Sequence, residues 1–166
     1  MKQFIIYLLL IVPFSVTAQS TPEELFGKGL EMVTKAKLDS GIYYYDQAIA
    51  LKPNYHEAFF RRGLAWDKKG DIAKAIADYT SAISIFEKPV YYNNRGIDYS
   101  ITADFDKAMA DYDKAISIDP TYGQSFLNKG YIYVQQNNNN LACDNFRKAK
   151  ELGLYMAEEA INYYCK

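Results

Sequence analysis

Histidine is nearly missing from this 166-residue chain, and cysteine occurs only twice. One imidazole, His56, and two thiols far from it, Cys143 and Cys165, do not make a metal-ligand set, so neither a metal nor a cofactor is expected. An excess of one charge is missing too. Nineteen basic residues stand against twenty acidic ones, the net charge is −1, and no charged run exceeds three residues. A basic footprint for phosphate backbones is therefore absent, which argues against nucleic acid as a partner. Phosphate-cradling GxxxxGK loops, GxSxG elbows and HExxH helices do not occur either. Carboxylates such as Asp111 and Asp113 read as a solvated helix face with nothing beside them to shift a pKa. His56, in the first turn of a helix, reads as solvated as well. No enzymatic activity is expected.

Long apolar runs are also lacking. The longest, Phe4 to Val12, has nine residues, where a membrane-spanning helix needs about 20. Lys2 precedes it, and Pro13 and the small-residue stretch Val16-Thr17-Ala18 follow. Residues 1–18 thus read as a secretory signal peptide, cleaved before Gln19. The mature chain, 19–166, is expected to be exported, periplasmic or extracellular, with no membrane span after cleavage.

What the chain does have is aromatic residues, 16% of the total and sixteen of them tyrosine, in a periodic arrangement. Glycine recurs at Gly29, Gly63, Gly96 and Gly130. Twelve residues after each comes a small residue: Gly41, Ala75, Ala108, Ala142. Four further on stands a ring, Tyr45, Tyr79, Tyr112 or Phe146, and three beyond that an alanine, Ala48, Ala82, Ala115 or Ala149. Large residues flank each glycine, four before it (Leu25, Phe59, Tyr92, Phe126) and three after (Met32, Trp66, Tyr99, Tyr133). Spacings of three and four place these groups on one face of each of two successive helices. Gly63 and Ala75 would let two helices approach closely, with the rings filling the space around the contact. Each such pair leaves an apolar face that only a neighbouring pair covers.

A period of about 34 residues with this pattern resembles the tetratricopeptide repeat. The resemblance extends over nearly all of the chain after residue 21. It implies an all-α fold: a right-handed superhelical solenoid of four helix-turn-helix units, at about 22–55, 56–88, 89–122 and 123–154, closed by a capping helix at about 155–166. Arg62, Arg95 and Lys129 depart from the family by replacing the leucine that commonly precedes the glycine. Helix starts are marked by Thr21-Pro22-Glu23-Glu24, Pro89, Asp71 and Asp104, and capping boxes are expected at Asn54 with Glu57 and Thr121 with Gln124. The run Asn137–Asn140 reads as a turn. In an oxidising compartment, Cys143 and Cys165 of the adjoining cap helix are candidates for a disulfide.

The same resemblance implies a function: non-enzymatic protein–protein interaction, with a peptide or protein segment bound in the concave groove that the first helices line. The groove residues carried over are Phe60, Arg61, Leu64 and Lys68 in the second unit, Asn93, Asn94 and Ile97 in the third, and Asn128 and Tyr131 in the fourth. Asparagines there offer donors and acceptors to a bound backbone. The carboxylate clamp of chaperone-binding members is not matched, because its cation and amide positions hold Phe26 and Leu30, or Phe60 and Leu64. An alternative is a structural or assembly scaffold that uses the convex or terminal faces.

Overall fold

The computed structural model describes residues 20–166; the expected signal peptide lies outside the described residues. Among these residues there are nine helices and no strand. They pair in order: α1 (Pro22–Thr34) with α2 (Leu38–Leu51), α3 (His56–Lys69) with α4 (Ile72–Ile85), α5 (Pro89–Ile101) with α6 (Phe105–Ile118), and α7 (Gly123–Gln135) with α8 (Asn139–Glu151). The last helix, α9 (Met156–Tyr164), packs on α8. The result is the all-α superhelical array of repeats.

The recurrent glycine has a steric reason. A Cβ placed on Gly29, Gly63, Gly96 or Gly130 would stand 2.4, 2.7, 2.7 or 2.3 Å from a ring carbon of Tyr45, Tyr79, Tyr112 or Phe146. In each unit the flat ring of the second helix therefore lies directly against the backbone of the first. The small residue twelve after the glycine plays a second part: a Cβ on Gly41 would come within 3.2 Å of the Gly29 carbonyl. Gly63 and its equivalents thus accommodate a ring, and the close approach to the first helix's backbone occurs at Gly41.

Helix starts follow side-chain chemistry at some junctions only. Thr21 and Glu24 form the reciprocal capping box, with both hydrogen bonds at 3.1 Å. Asp71 and Asn138 each accept from a backbone N–H three residues on, at 3.3 Å. The boxes expected at Asn54 and Thr121 do not form, because α3 and α7 start after Tyr55 and Tyr122, neither of which caps with its side chain. Thr121 instead turns back on the Asp119 carboxylate. Asp104 gives its carboxylate to Lys107, 2.6 Å away, rather than to the start of α6. Within the units, the turns need one left-handed residue each, and Ala36, Gly70, Ala103 and Asn137 supply it.

At the C-terminal end, Ala157 and Ala160 of α9 are buried against Leu127, Ala142, Phe146 and Ala149. Cys143 and Cys165 are joined there, with their Cα atoms 5.6 Å apart. The apolar face of the fourth unit is covered in this way, as the last repeat of any such array requires.

Candidate functional site

The groove residues expected from the repeat pattern all lie on first helices, yet the structure separates them into two kinds. Between α1 and α3, Leu30, Val33 and Leu64 line a cleft of about 370 Å3 with the buried Tyr45 ring beneath them; Arg61, Lys68, Glu31 and Thr34 stand at its edge. Leu30 is 37% exposed, so the cleft opens to solvent. Burial pushes the Tyr45 hydroxyl up to about 12, partly offset by the Arg61 guanidinium beside it.

Further along, several of the expected groove residues are covered, although Tyr131 stays 39% exposed. Phe60 is only 8% exposed, its ring set against those of Tyr91 and Tyr79 at centroid distances of 4.6 and 5.7 Å. Asn93 is 3% exposed. Its side-chain oxygen accepts from the Ser125 hydroxyl and the Asn128 amide, both at 3.0 Å. Asn128 in turn accepts from Gln124, and Asn94 donates to the Val90 carbonyl one turn back in its own helix. Ile97 packs beside Ala108, Tyr112 and Ile132. Tyr131 lies edge-on to Phe146 and Tyr164 at the far end. The expectation that Phe60 and Asn93 present a surface to a partner is therefore corrected. First helices of successive units approach one another, and a side chain aimed from one at the next is covered. Arg61, Leu64 and Lys68 come together at the cleft, and the amides form an internal network.

Asp67 and Asp98 were not foreseen as a unit. Asp98 of α5 is 2% exposed and meets the Asp67 carboxylate of α3, to which the Tyr79 hydroxyl donates. Asp67 Oδ1 and Asp98 Oδ2 have no hydrogen-bond partner among the described residues. Burial, and then the Asp67 charge, push the Asp98 carboxyl up to about 8, as happens when one of two adjacent carboxylates must keep a proton. The register gave only a partial signal: two residues after the glycine, the second and fourth units have the buried, apolar Ala65 and Ile132, the third has the buried Asp98, and the first has the exposed Glu31.

Away from the groove, the departures Arg62, Arg95 and Lys129 acquire a role. Arg62 donates to both oxygens of Asp78 at 2.8 and 2.6 Å and to Asp46 at 2.5 Å. Arg95 holds Asp111 in the same two-pronged manner at 2.8 and 2.7 Å, and Lys129 pairs with Asp113. Asp111 and Asp113 are thus ion-pair partners in a ladder that ties α3, α5 and α7 to neighbouring second helices, not the unpartnered carboxylates expected. The sixteen-residue spacing of Arg62 to Asp78 and Arg95 to Asp111 was the readable sign. His56 is also more enclosed than its position suggested, stacked on Phe86 at 5.0 Å with Nδ1 2.8 Å from the Tyr91 hydroxyl. Among the described residues no cluster of metal-ligating side chains occurs, and no helix is long and apolar enough to cross a membrane.

This geometry agrees with comparison to known proteins. Models described as tetratricopeptide repeat match residues 56–89, 89–122 and 123–152. A TPR repeat-containing protein, MJ0941, of Methanocaldococcus jannaschii is 35% identical over 54 residues, a match spanning 32% of this chain and 16% of that protein. The crystal structure of MamA superposes with a TM-score of 0.76 at 24% identity, covering 82% of this chain and 81% of that one. A tetratricopeptide repeat protein from Parabacteroides merdae superposes at 0.72 and 26% identity, covering 79% and 53%. The class that fold and groove define is the helical-repeat interaction module, which generally binds proteins and carries no catalysis of its own. The chain belongs to the tetratricopeptide repeat family.

Proposed function

We propose that this protein holds a segment of a partner protein in the concave face between α1 and α3. The observation that carries the reading is the open cleft of Leu30, Val33 and Leu64 over Tyr45. There Leu30 keeps an exposed apolar surface instead of being packed under a neighbouring unit as Phe60 is, and an apolar recess with polar edges suits an extended chain. Export is part of the same reading. The Phe4–Val12 run with Val16-Thr17-Ala18 behind it supports export, as does the Cys143–Cys165 pairing, since disulfides persist outside the cytoplasm.

A scaffold role through the terminal face is the second reading, favoured by the exposed Tyr155, Met156 and Tyr163 near and on α9. Substitution distinguishes the two. Leu30→Arg places a charge in the cleft at an exposed position and should abolish capture of the native partner, with a stability change within about 1 kcal/mol. Tyr163→Ala with Met156→Ala should leave capture intact. The reverse pattern, measured by pulldown alongside thermal melting, would move the interaction to the terminal face.

A further inference from the structure

Two basic doublets on α3, Arg61-Arg62 and Lys68-Lys69, are each split between opposite tasks. Arg62 is held by Asp78 and Asp46, and Lys69 by Asp39. Arg61 and Lys68, next to them, have no carboxylate within ion-pair distance among the described residues, and both stand at the edge of the cleft. Adjacent residues point about 100° apart around a helix of 3.6 residues per turn, so the doublets divide between the ion-pair ladder and the groove. The one acidic residue of the cleft edge, Glu31, is engaged at 2.5 Å with Lys35 on its own helix. The cleft thus offers two unneutralised cations over an apolar floor. Arg61 has its guanidinium 5.9 Å from the Phe60 ring, a cation–π contact that limits its freedom before any ligand arrives.

From this we infer that the segment bound between α1 and α3 carries acidic side chains on either side of an apolar anchor. The inference rests on the groove reading above and assigns its partner chemistry. Seven residues separate Arg61 from Lys68, about 10 Å along the helix, with Leu64 between them. An extended chain covers that distance in about three residues, so the two carboxylates stand two to four positions apart and the apolar side chain between them enters over Leu64, Leu30 and Val33. A single terminal carboxylate reaches only one of the two cations, which is why internal aspartate or glutamate side chains are the occupants assigned. Arg61 suits a carboxylate through its planar pair of N–H donors, and Lys68 acts as a mobile point charge.

The test uses the chain from Gln19 onward and short fluorescent peptides, acetylated and amidated at their ends, with two leucines between flanking glutamates. Binding is read by anisotropy and located by amide chemical shifts. The glutamate peptide is expected to shift Leu30, Arg61, Leu64 and Lys68, to bind at least about tenfold more tightly than its glutamine counterpart, and to weaken as salt rises from about 50 to about 300 mM. Arg61→Gln with Lys68→Gln should make the two peptides equal, both at the weaker value. Equal binding of both peptides by the unaltered protein would overturn the charge assignment. So would preference for a lysine peptide, or binding only when the peptide's C-terminal carboxylate is left free. In those cases shifts at Leu30 and Leu64 would still support the groove. If no peptide moves the cleft residues and Leu30→Arg still captures the native partner, the groove reading falls together with its chemistry.

Discussion

On its side toward α7, helix α5 carries Asn93, whose oxygen takes hydrogen bonds from Ser125 and Asn128. On its side toward α3 it carries Asp98, which meets the Asp67 carboxylate and leaves one oxygen of each without a partner among the described residues. Both polar groups are buried between first helices, at 3% and 2% exposure. The Asn93 oxygen is a neutral acceptor, and a hydroxyl and a second amide both donate to it without any group having to titrate. Two carboxylates are acceptors only, and one must bind a proton before it donates. The buried acceptor at the joint between the third and fourth units thus keeps its donors whatever the pH, and the joint between the second and third leaves two oxygens unmet among the described residues. Neither Asn93 nor Asp98 is open to a partner.

A third joint, between α8 and α9, is covalent and sets the upper end of the scale. The Cys143–Cys165 link spans 22 residues, and cross-linking a loop of that length stabilises by about 3 kcal/mol on the chain-entropy model. Reducing it should release α9 and lower the protection of α7 and α8 amides from hydrogen exchange, with α3 and α4 unchanged. Uniform loss of protection through all four units would mean that the array unfolds as one block and that its joints do not differ in the way described.

Much of this architecture was legible from the residues, and the reason is steric. Gly63, Tyr79 and Ala82 each have one geometric task, repeated four times, so their spacing alone announces the helix pair. The groove was less legible. Phe60, Asn93 and Leu64 all sit on the inner stripe of a first helix, but whether such a residue meets solvent depends on what the next unit places opposite it. Tyr91 covers Phe60, and Ser125 and Asn128 cover Asn93; among the described residues nothing comparable closes over Leu30. Residue type did not reveal that, because asparagine suits a ligand and an internal network equally well. The caps expected at Asn54 and Thr121 failed for a related reason: tyrosines one residue later start the helices and carry no capping group.

The satisfied joint gives the next effect in size. Asn93→Ala removes the acceptor that both Ser125 and Asn128 use, and Ser125 is fully buried. A buried hydroxyl left without its partner costs about 1–3 kcal/mol, and about 2 kcal/mol is expected in urea denaturation. Adding Ser125→Ala should recover part of the loss, because removing both partners costs less than orphaning one. Strictly additive losses would show that the two groups are not coupled.

The last effect has the opposite sign, and it belongs to the unsatisfied joint. Asp98 is pushed up to about 8 by burial and by the facing Asp67 charge, whereas an unfolded aspartate titrates near about 3.9. Between those two values the folded chain holds more protons than the unfolded chain, so stability falls as pH rises through this window and levels off above it. The groups arranged around the pair do not reverse that sign: Tyr79 donates one hydrogen bond to Asp67, and Asp78 and Asp111, on the second helices behind, are already held by Arg62 and Arg95. Asp98→Asn supplies a permanent donor toward the unpartnered Asp67 oxygen and removes the need for a proton. The variant should be more stable than the parent near and above pH 8, where the native pair leaves a buried polar group unmet. The gain should shrink as pH falls through about 8, where the native carboxyl takes up its proton and donates by itself, and the difference should keep changing in that direction until the unfolded aspartate is protonated near about 3.9. Subtracting the two urea-midpoint profiles cancels every other titrating group, so the difference curve isolates this joint. Parallel profiles from pH 4 to pH 9 would show that Asp67 and Asp98 do not share a proton, and the contrast with the Asn93 joint would then lose its electrostatic basis.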